Sequence, residues 1–66
     1  MHTLHAQYLD GFLRDLDSIN PPLEPAVKSR FICVEASILN RFIPRPTSDE
    51  VNKYLLDHSL PAICNY

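Results

Sequence analysis

A chain of 66 residues has room for one small domain, and a single core of that size contributes only about 3 to 5 kcal/mol of stability. Its net charge is −2, its isoelectric point is about 5.8, and both signs are interspersed, so the basic stripe typical of nucleic-acid binders is missing. Uninterrupted apolar runs are at most four residues long, far short of the roughly 20 that a membrane-crossing helix needs.

The first predicted helix runs from Leu4 to Ile19, with Thr3 suited to the N-cap position. It must end by Asn20, because a residue that precedes proline is pushed out of the helical region. Apolar residues recur at steps of three and four, which places them on one side of the helix. They are Leu4, Tyr8, Leu9, Phe12, Leu13, Leu16 and Ile19.

Gly11 is the one glycine of the chain, and it interrupts this first helix. A glycine inside a helix costs about 1 kcal/mol relative to alanine. Two interpretations stay open at this point: a tolerated imperfection, or a close helix crossing in which the missing side chain lets another backbone approach.

The second predicted helix begins at Pro25, a residue suited to a first helical turn, and runs to Ile43, where Pro44 stops it. One apolar stripe consists of Val27, Phe31, Val34, Ile38 and Phe42. A second stripe, rotated by about 100°, consists of Ile32, Ala36, Leu39 and Ile43. Two stripes need two neighbours, which indicates either the central helix of a three-helix arrangement or a helix shared with a second chain.

The third predicted helix runs from Ser48 to His58 and begins with a capping box of Thr47 and Glu50. Its inner side carries Val51, Tyr54, Leu55 and His58, while Leu56 points elsewhere. The apolar residues that follow are broken by Pro61 and predict an extended tail, packed across the helices or across a partner. The predicted fold is therefore all-α: residues 1–66 form one small three-helix domain, a helical hairpin plus a short third helix, with an extended C-terminal tail.

Cys33 and Cys64 are the two cysteines, and secreted small domains usually carry four or more. The first residues also lack the pattern of a signal peptide. Both thiols are therefore predicted to be reduced, with Cys33 buried among apolar neighbours and Cys64 accessible near the chain end. A cytoplasmic location follows as an expectation.

Groups that carry chemistry are sparse in the sequence. His2 and His5 have a spacing compatible with two metal ligands, but nothing completes a four-ligand set, so no metal site and no cofactor are expected. His58 forms a catalytic set only if its partners are chosen freely from the nearby acids and serines. The single glycine lies inside a helix, which leaves no phosphate-cradling loop. We expect the chain not to be an enzyme.

Surplus apolar surface on so small a core favours a protein partner. The leading hypothesis is a small regulatory or interaction protein that binds a larger protein, acting as a homodimer. The residues predicted to bind the partner are Phe31, Val34, Ile38, Phe42, Ile63 and Tyr66. A third hypothesis, a subunit that folds only within a complex, also stays open.

The main alternative is a DNA-binding regulator with a helix-turn-helix at residues 26–58, since its turn has the length that this motif uses. Asp49 and Glu50 oppose it, because they occupy the end of the helix that would approach the phosphates. The residues that would contact nucleic acid in this alternative are Arg41, Arg45 and Lys53.

Overall fold

The computed structural model describes residues 3–38 and 44–66. Three α-helices follow one another in the chain: α1 (Thr3–Asp17), α2 (Pro25–Ser37) and α3 (Ser48–Asp57). The described residues contain no β-strand, so the all-α prediction is confirmed.

Helix α1 ends two residues before the predicted Ile19, and Thr3 is its first residue rather than its N-cap. The last turn is tightened by bonds from the Ser18 and Ile19 amides to the carbonyls of Asp15 and Leu16, both 3.2 Å long. The Ser18 hydroxyl also donates to the Asp15 carbonyl at 2.7 Å. The Asp15 carbonyl thus accepts two bonds from Ser18, and the last turn of α1 closes with bonds between residues three apart, as helix ends often do.

Helix α2 begins at Pro25, as predicted, but ends at Ser37 rather than at Ile43. Ile38 is already the C-cap residue, and residues 39–43 lie outside the described part of the chain. The Ser37 carbonyl, one of the last four carbonyls of α2, accepts a hydrogen bond of 3.1 Å from the Arg45 guanidinium. Sequence periodicity does not report such a tertiary bond.

Helix α3 begins with the predicted capping box. The Glu50 amide donates to the Thr47 hydroxyl oxygen at 3.2 Å, and the Thr47 amide donates to the Glu50 carboxylate at 3.1 Å. The backbone bond from Thr47 holds the pKa of the Glu50 carboxyl below its usual value.

Helix α3 ends in a Schellman motif that has a serine where glycine is usual. The Ser59 amide donates to the Leu56 carbonyl at 3.0 Å, and the Leu60 amide donates to the Leu55 carbonyl at 2.8 Å. Ser59 has a φ of 60°, in the left-handed region. Leu60 and Leu55 are both buried, which supplies the apolar contact that accompanies this motif.

Helix α2 packs against both other helices, and its second stripe supplies the contact. Ile32 and Ala36 are fully buried, as are Leu9 of α1 and Val51 of α3. The buried cluster consists of Leu9, Leu16, Ile32, Ala36, Val51, Tyr54, Leu55, Leu60 and Cys64. The predicted inner side of α3 is thus confirmed for three of its four residues, Val51, Tyr54 and Leu55, whereas His58 is exposed.

The tail, residues 60–66, is extended and lies across α2 and α3, in agreement with the prediction. The Ser29 hydroxyl of α2 donates to the Pro61 carbonyl at 2.7 Å. At the chain end, the Tyr66 hydroxyl donates to the carbonyl of buried Pro46, also at 2.7 Å. These bonds attach the tail at both ends.

A disulfide joins Cys33 of α2 to Cys64 of the tail, with their Cα atoms 5.5 Å apart. The prediction of two reduced thiols is therefore wrong, as is the prediction that Cys64 is accessible, because Cys64 is buried. The tail returns along α2 and places two cysteines that are 31 positions apart side by side. The bond is the kind of supplement that a core of this size needs.

Gly11 is no site of close helix crossing among the described residues. A Cβ atom built on it meets nothing within 4 Å. The structure therefore favours the interpretation of this glycine as a tolerated imperfection.

Candidate protein-interaction face

The exposed side of α2 carries four apolar residues at steps of four, three and four, Val27, Phe31, Val34 and Ile38, which we name the α2 stripe. Their relative exposures rise along the chain: 37%, 47%, 56% and 61%. In heptad notation they occupy positions d, a, d and a, the pattern of a helix that pairs with another helix. Buried Ser29 and Ala36 both occupy position f, on the opposite side. The stripe therefore points away from the chain's own core.

A groove of about 860 Å³ lies between α2 and the tail, and Val27, Phe31 and Val34 of the α2 stripe form part of its lining. The disulfide forms part of its wall, and so fixes the distance between the two segments. Ile63 and Tyr66 contribute exposed apolar surface from the tail side. The Tyr66 ring lies 5.8 Å from the Arg45 guanidinium carbon, within the range of a cation–π contact.

Three charged side chains flank the α2 stripe. Lys28 forms an ion pair of 2.7 Å with Asp17 of α1, and the Glu35 carboxylate accepts a hydrogen bond from the Tyr8 hydroxyl of α1. Arg30 is exposed on the other flank and forms no ion pair or hydrogen bond with the described residues. Arg30 is thus an unpaired cation at the edge of the apolar stripe, as far as the described residues show.

The structure places five of the six predicted partner-binding residues on one exposed face. Phe31, Val34 and Ile38 lie on α2, and Ile63 and Tyr66 lie on the tail beside it. Phe42 lies outside the described residues. The prediction omitted Val27 and Arg30, although the heptad spacing extends back to Val27 and places Arg30 at a flanking position.

Of the residues in the nucleic-acid alternative, the structure describes two, Arg45 and Lys53, and Arg45 is not free. Arg45 is engaged with Ser37 and Tyr66, Lys53 is exposed on α3, and Arg41 lies outside the described residues. The first turn of α3 carries Asp49 and Glu50. Negative charge at that helix start is unfavourable for phosphate contacts.

His58 has different neighbours from those considered in the sequence. Its Nδ1 donates to the Tyr54 carbonyl at 2.7 Å, and its ring lies 4.1 Å from the Tyr54 ring, centroid to centroid. The Tyr54 hydroxyl in turn donates to Asp10 at 2.6 Å. Burial and this bond to Asp10 raise the pKa of Tyr54.

This cluster borders a recess in which the described lining residues include no serine, threonine or cysteine. A hydroxyl or thiol of the serine, threonine or cysteine kind, which a histidine base commonly activates, is thus missing from the described lining of this recess. The bonds instead tie the end of α3 to α1.

Metal ligands do not cluster in residues 3–38 and 44–66: no group of three histidine, cysteine or acidic side chains there is placed to hold an ion. His5 is 2% exposed and packed in the interior, and His2 lies outside the described residues. None of the helices described here has the length and apolar character needed to span a bilayer.

Comparisons with protein-family profiles, with curated proteins and with solved structures find no significant match to this chain. The functional argument therefore rests on the face formed by α2 and the tail.

Proposed function

We propose that this chain is a small, non-enzymatic interaction protein that acts by binding protein through the α2 stripe, and that it does so as a homodimer. The observation that carries the proposal is the α2 stripe, which consists of four exposed apolar side chains in heptad spacing. The opposite side of α2 is the side that packs into the chain's own core. Contiguous apolar surface of this kind marks an interaction site.

Two-fold symmetry makes a second copy a natural occupant, because the same stripe then serves both partners. Association also adds apolar burial to a core that is small for independent stability. The stripe covers about three turns of helix, roughly 16 Å along the axis. The tail side of the adjoining groove, with Ile63 and Tyr66, is the surface that we assign to the larger protein that the dimer regulates.

The expectation of a cytoplasmic location rested mainly on two reduced thiols, and the disulfide between Cys33 and Cys64 removes that argument. Disulfides persist in oxidising compartments and are rare where thiol reductants are abundant. We therefore propose that the protein works in an oxidising environment.

A dilution series followed by two-dimensional NMR tests the proposed function. Between high and low micromolar concentration, amide signals of residues 27–38 should shift together, while those on the outer side of α1 should not. Signals that stay constant over the whole range would contradict self-association. Shifts centred on α1 or on the Asp10 and Tyr54 region would contradict the assigned face.

A further inference from the structure

The charges beside the α2 stripe contain information about how a second copy docks. In heptad notation Arg30 occupies position g and Glu35 occupies position e, five residues further along the chain. The two lie on opposite flanks of the stripe: Arg30 on the side of the tail, and Glu35 on the side of α1, where Tyr8 holds its carboxylate.

We infer that two copies of the chain dock with their α2 helices parallel, so that Arg30 of each pairs with Glu35 of the other. In a parallel helix pair, position g of one helix faces position e of its partner in the next heptad. Because the dimer has two-fold symmetry, it contains the pair of Arg30 and Glu35 twice. This inference rests on the proposed function and specifies its geometry.

An antiparallel arrangement leaves the charges less well matched. There, position g faces position g and position e faces position e, so Arg30 meets no acid, and Lys28 becomes the cation closest to the partner's Glu35. Lys28 is already paired with Asp17 at 2.7 Å, and its side chain is only 21% exposed. The parallel arrangement instead uses Arg30, which forms no ion pair or hydrogen bond with the described residues.

The Tyr8 bond keeps Glu35 available for this contact. It fixes one carboxylate oxygen against α1, and a carboxylate accepts about four hydrogen bonds, so capacity remains for a guanidinium. A side chain already held in place loses less conformational entropy when the pair forms.

Charge reversal tests the inference. Arg30→Glu and Glu35→Arg should each weaken self-association by roughly tenfold, because two exposed pairs change from attraction to repulsion. An equimolar mixture of the two variants should associate about as well as the unmodified protein, since both contacts become attractive again. Native mass spectrometry resolves the mixed dimer by its mass, and sedimentation equilibrium gives its affinity.

Controls separate the possible outcomes. Glu35→Arg also removes the hydrogen bond from Tyr8 within one chain, and Tyr8→Phe removes that bond alone, so its effect on self-association is the control. Circular dichroism confirms that each variant folds. Weakening by Glu35→Arg and Lys28→Glu, but not by Arg30→Glu, would overturn the parallel arrangement in favour of the antiparallel one. If the dimer affinity were the same for all of these variants, the pairing of Arg30 with Glu35 would be wrong, although the chain would still form a dimer. A monomer at every concentration would overturn both this inference and the proposed homodimer.

Discussion

The Asn52 side chain binds both backbone polar groups of Cys64. The Cys64 amide donates to Asn52 Oδ1 at 2.8 Å, and Asn52 Nδ2 donates to the Cys64 carbonyl at 2.8 Å. This contact holds the tail against α3 and presents the Cys64 sulfur to Cys33 on α2. The disulfide and the amide thus fasten one residue to two helices.

The disulfide should supply a large share of the stability. Its cysteines are 31 positions apart, and closing a loop of that length stabilises a fold by roughly 3 to 4 kcal/mol through the unfolded chain. Urea unfolding of Cys33→Ser/Cys64→Ser should therefore show a loss of that size relative to the unmodified protein.

A thiol reagent checks the same bond chemically. The unmodified protein, unfolded in urea without reductant, should take up no reagent, and after reduction it should take up two equivalents, one for each cysteine. Labelling without prior reduction would contradict the disulfide.

Replacing Ser59 by glycine should stabilise the protein by about 1 kcal/mol. A side chain at a φ of 60° is strained by its Cβ atom, and glycine is free of that strain. Ser18→Gly is the matched control, because Ser18 also follows a helix but has a negative φ and a hydroxyl bonded to Asp15. If both substitutions lowered the thermal midpoint, the Schellman geometry assigned to Ser59 would be wrong.

Thr47→Ala should destabilise the protein by about 0.5 to 2 kcal/mol, because the Glu50 amide loses its acceptor at the start of α3. Thr47→Ser keeps the hydroxyl and should be nearly silent. Urea denaturation of the unmodified protein and the two variants measures the difference in stability. Equal midpoints for all three would show that the capping box does not stabilise the protein.

Gly11→Ala should raise stability by about 1 kcal/mol. Alanine has the higher helix propensity, and the added Cβ meets open space among the described residues. Thermal denaturation followed by circular dichroism measures the gain. A lower midpoint would show that some other part of the structure packs closely against this position.

Local chemistry made the starts of α2 and α3 predictable from the sequence. Pro25 suits a first helical turn, and Thr47 with Glu50 completes a capping box within four residues. The helix ends were less predictable: the apolar spacing of α2 continues to Ile43, but the helix ends at Ser37, whose carbonyl accepts a bond from the Arg45 side chain eight positions further along the chain. The disulfide was missed for a similar reason: its formation depends on the path of the tail, which Asn52 directs through a contact that has no signature in the sequence.

The sequence predicts that α2 has two apolar stripes, but it does not show which stripe is buried and which forms the candidate face. Helical spacing separates the two stripes of α2, but both are apolar, so spacing alone does not decide which one enters the core. The fold decides it. Ala36 is small and Ser29 bonds to the Pro61 carbonyl, so their side of α2 accepts close neighbours and the side with Phe31 is left exposed.

Sedimentation equilibrium of the unmodified protein and of two matched variants tests the central claim, self-association through the α2 stripe. Ile38 and Leu56 are exposed to almost the same extent, 61% and 63%, but only Ile38 belongs to the stripe. Ile38→Glu places a charge in the proposed contact and should weaken self-association by about tenfold or more, whereas Leu56→Glu should leave it unchanged. A monomer mass for the unmodified protein from low to high micromolar concentration, or equal association of the two variants, would contradict the claim.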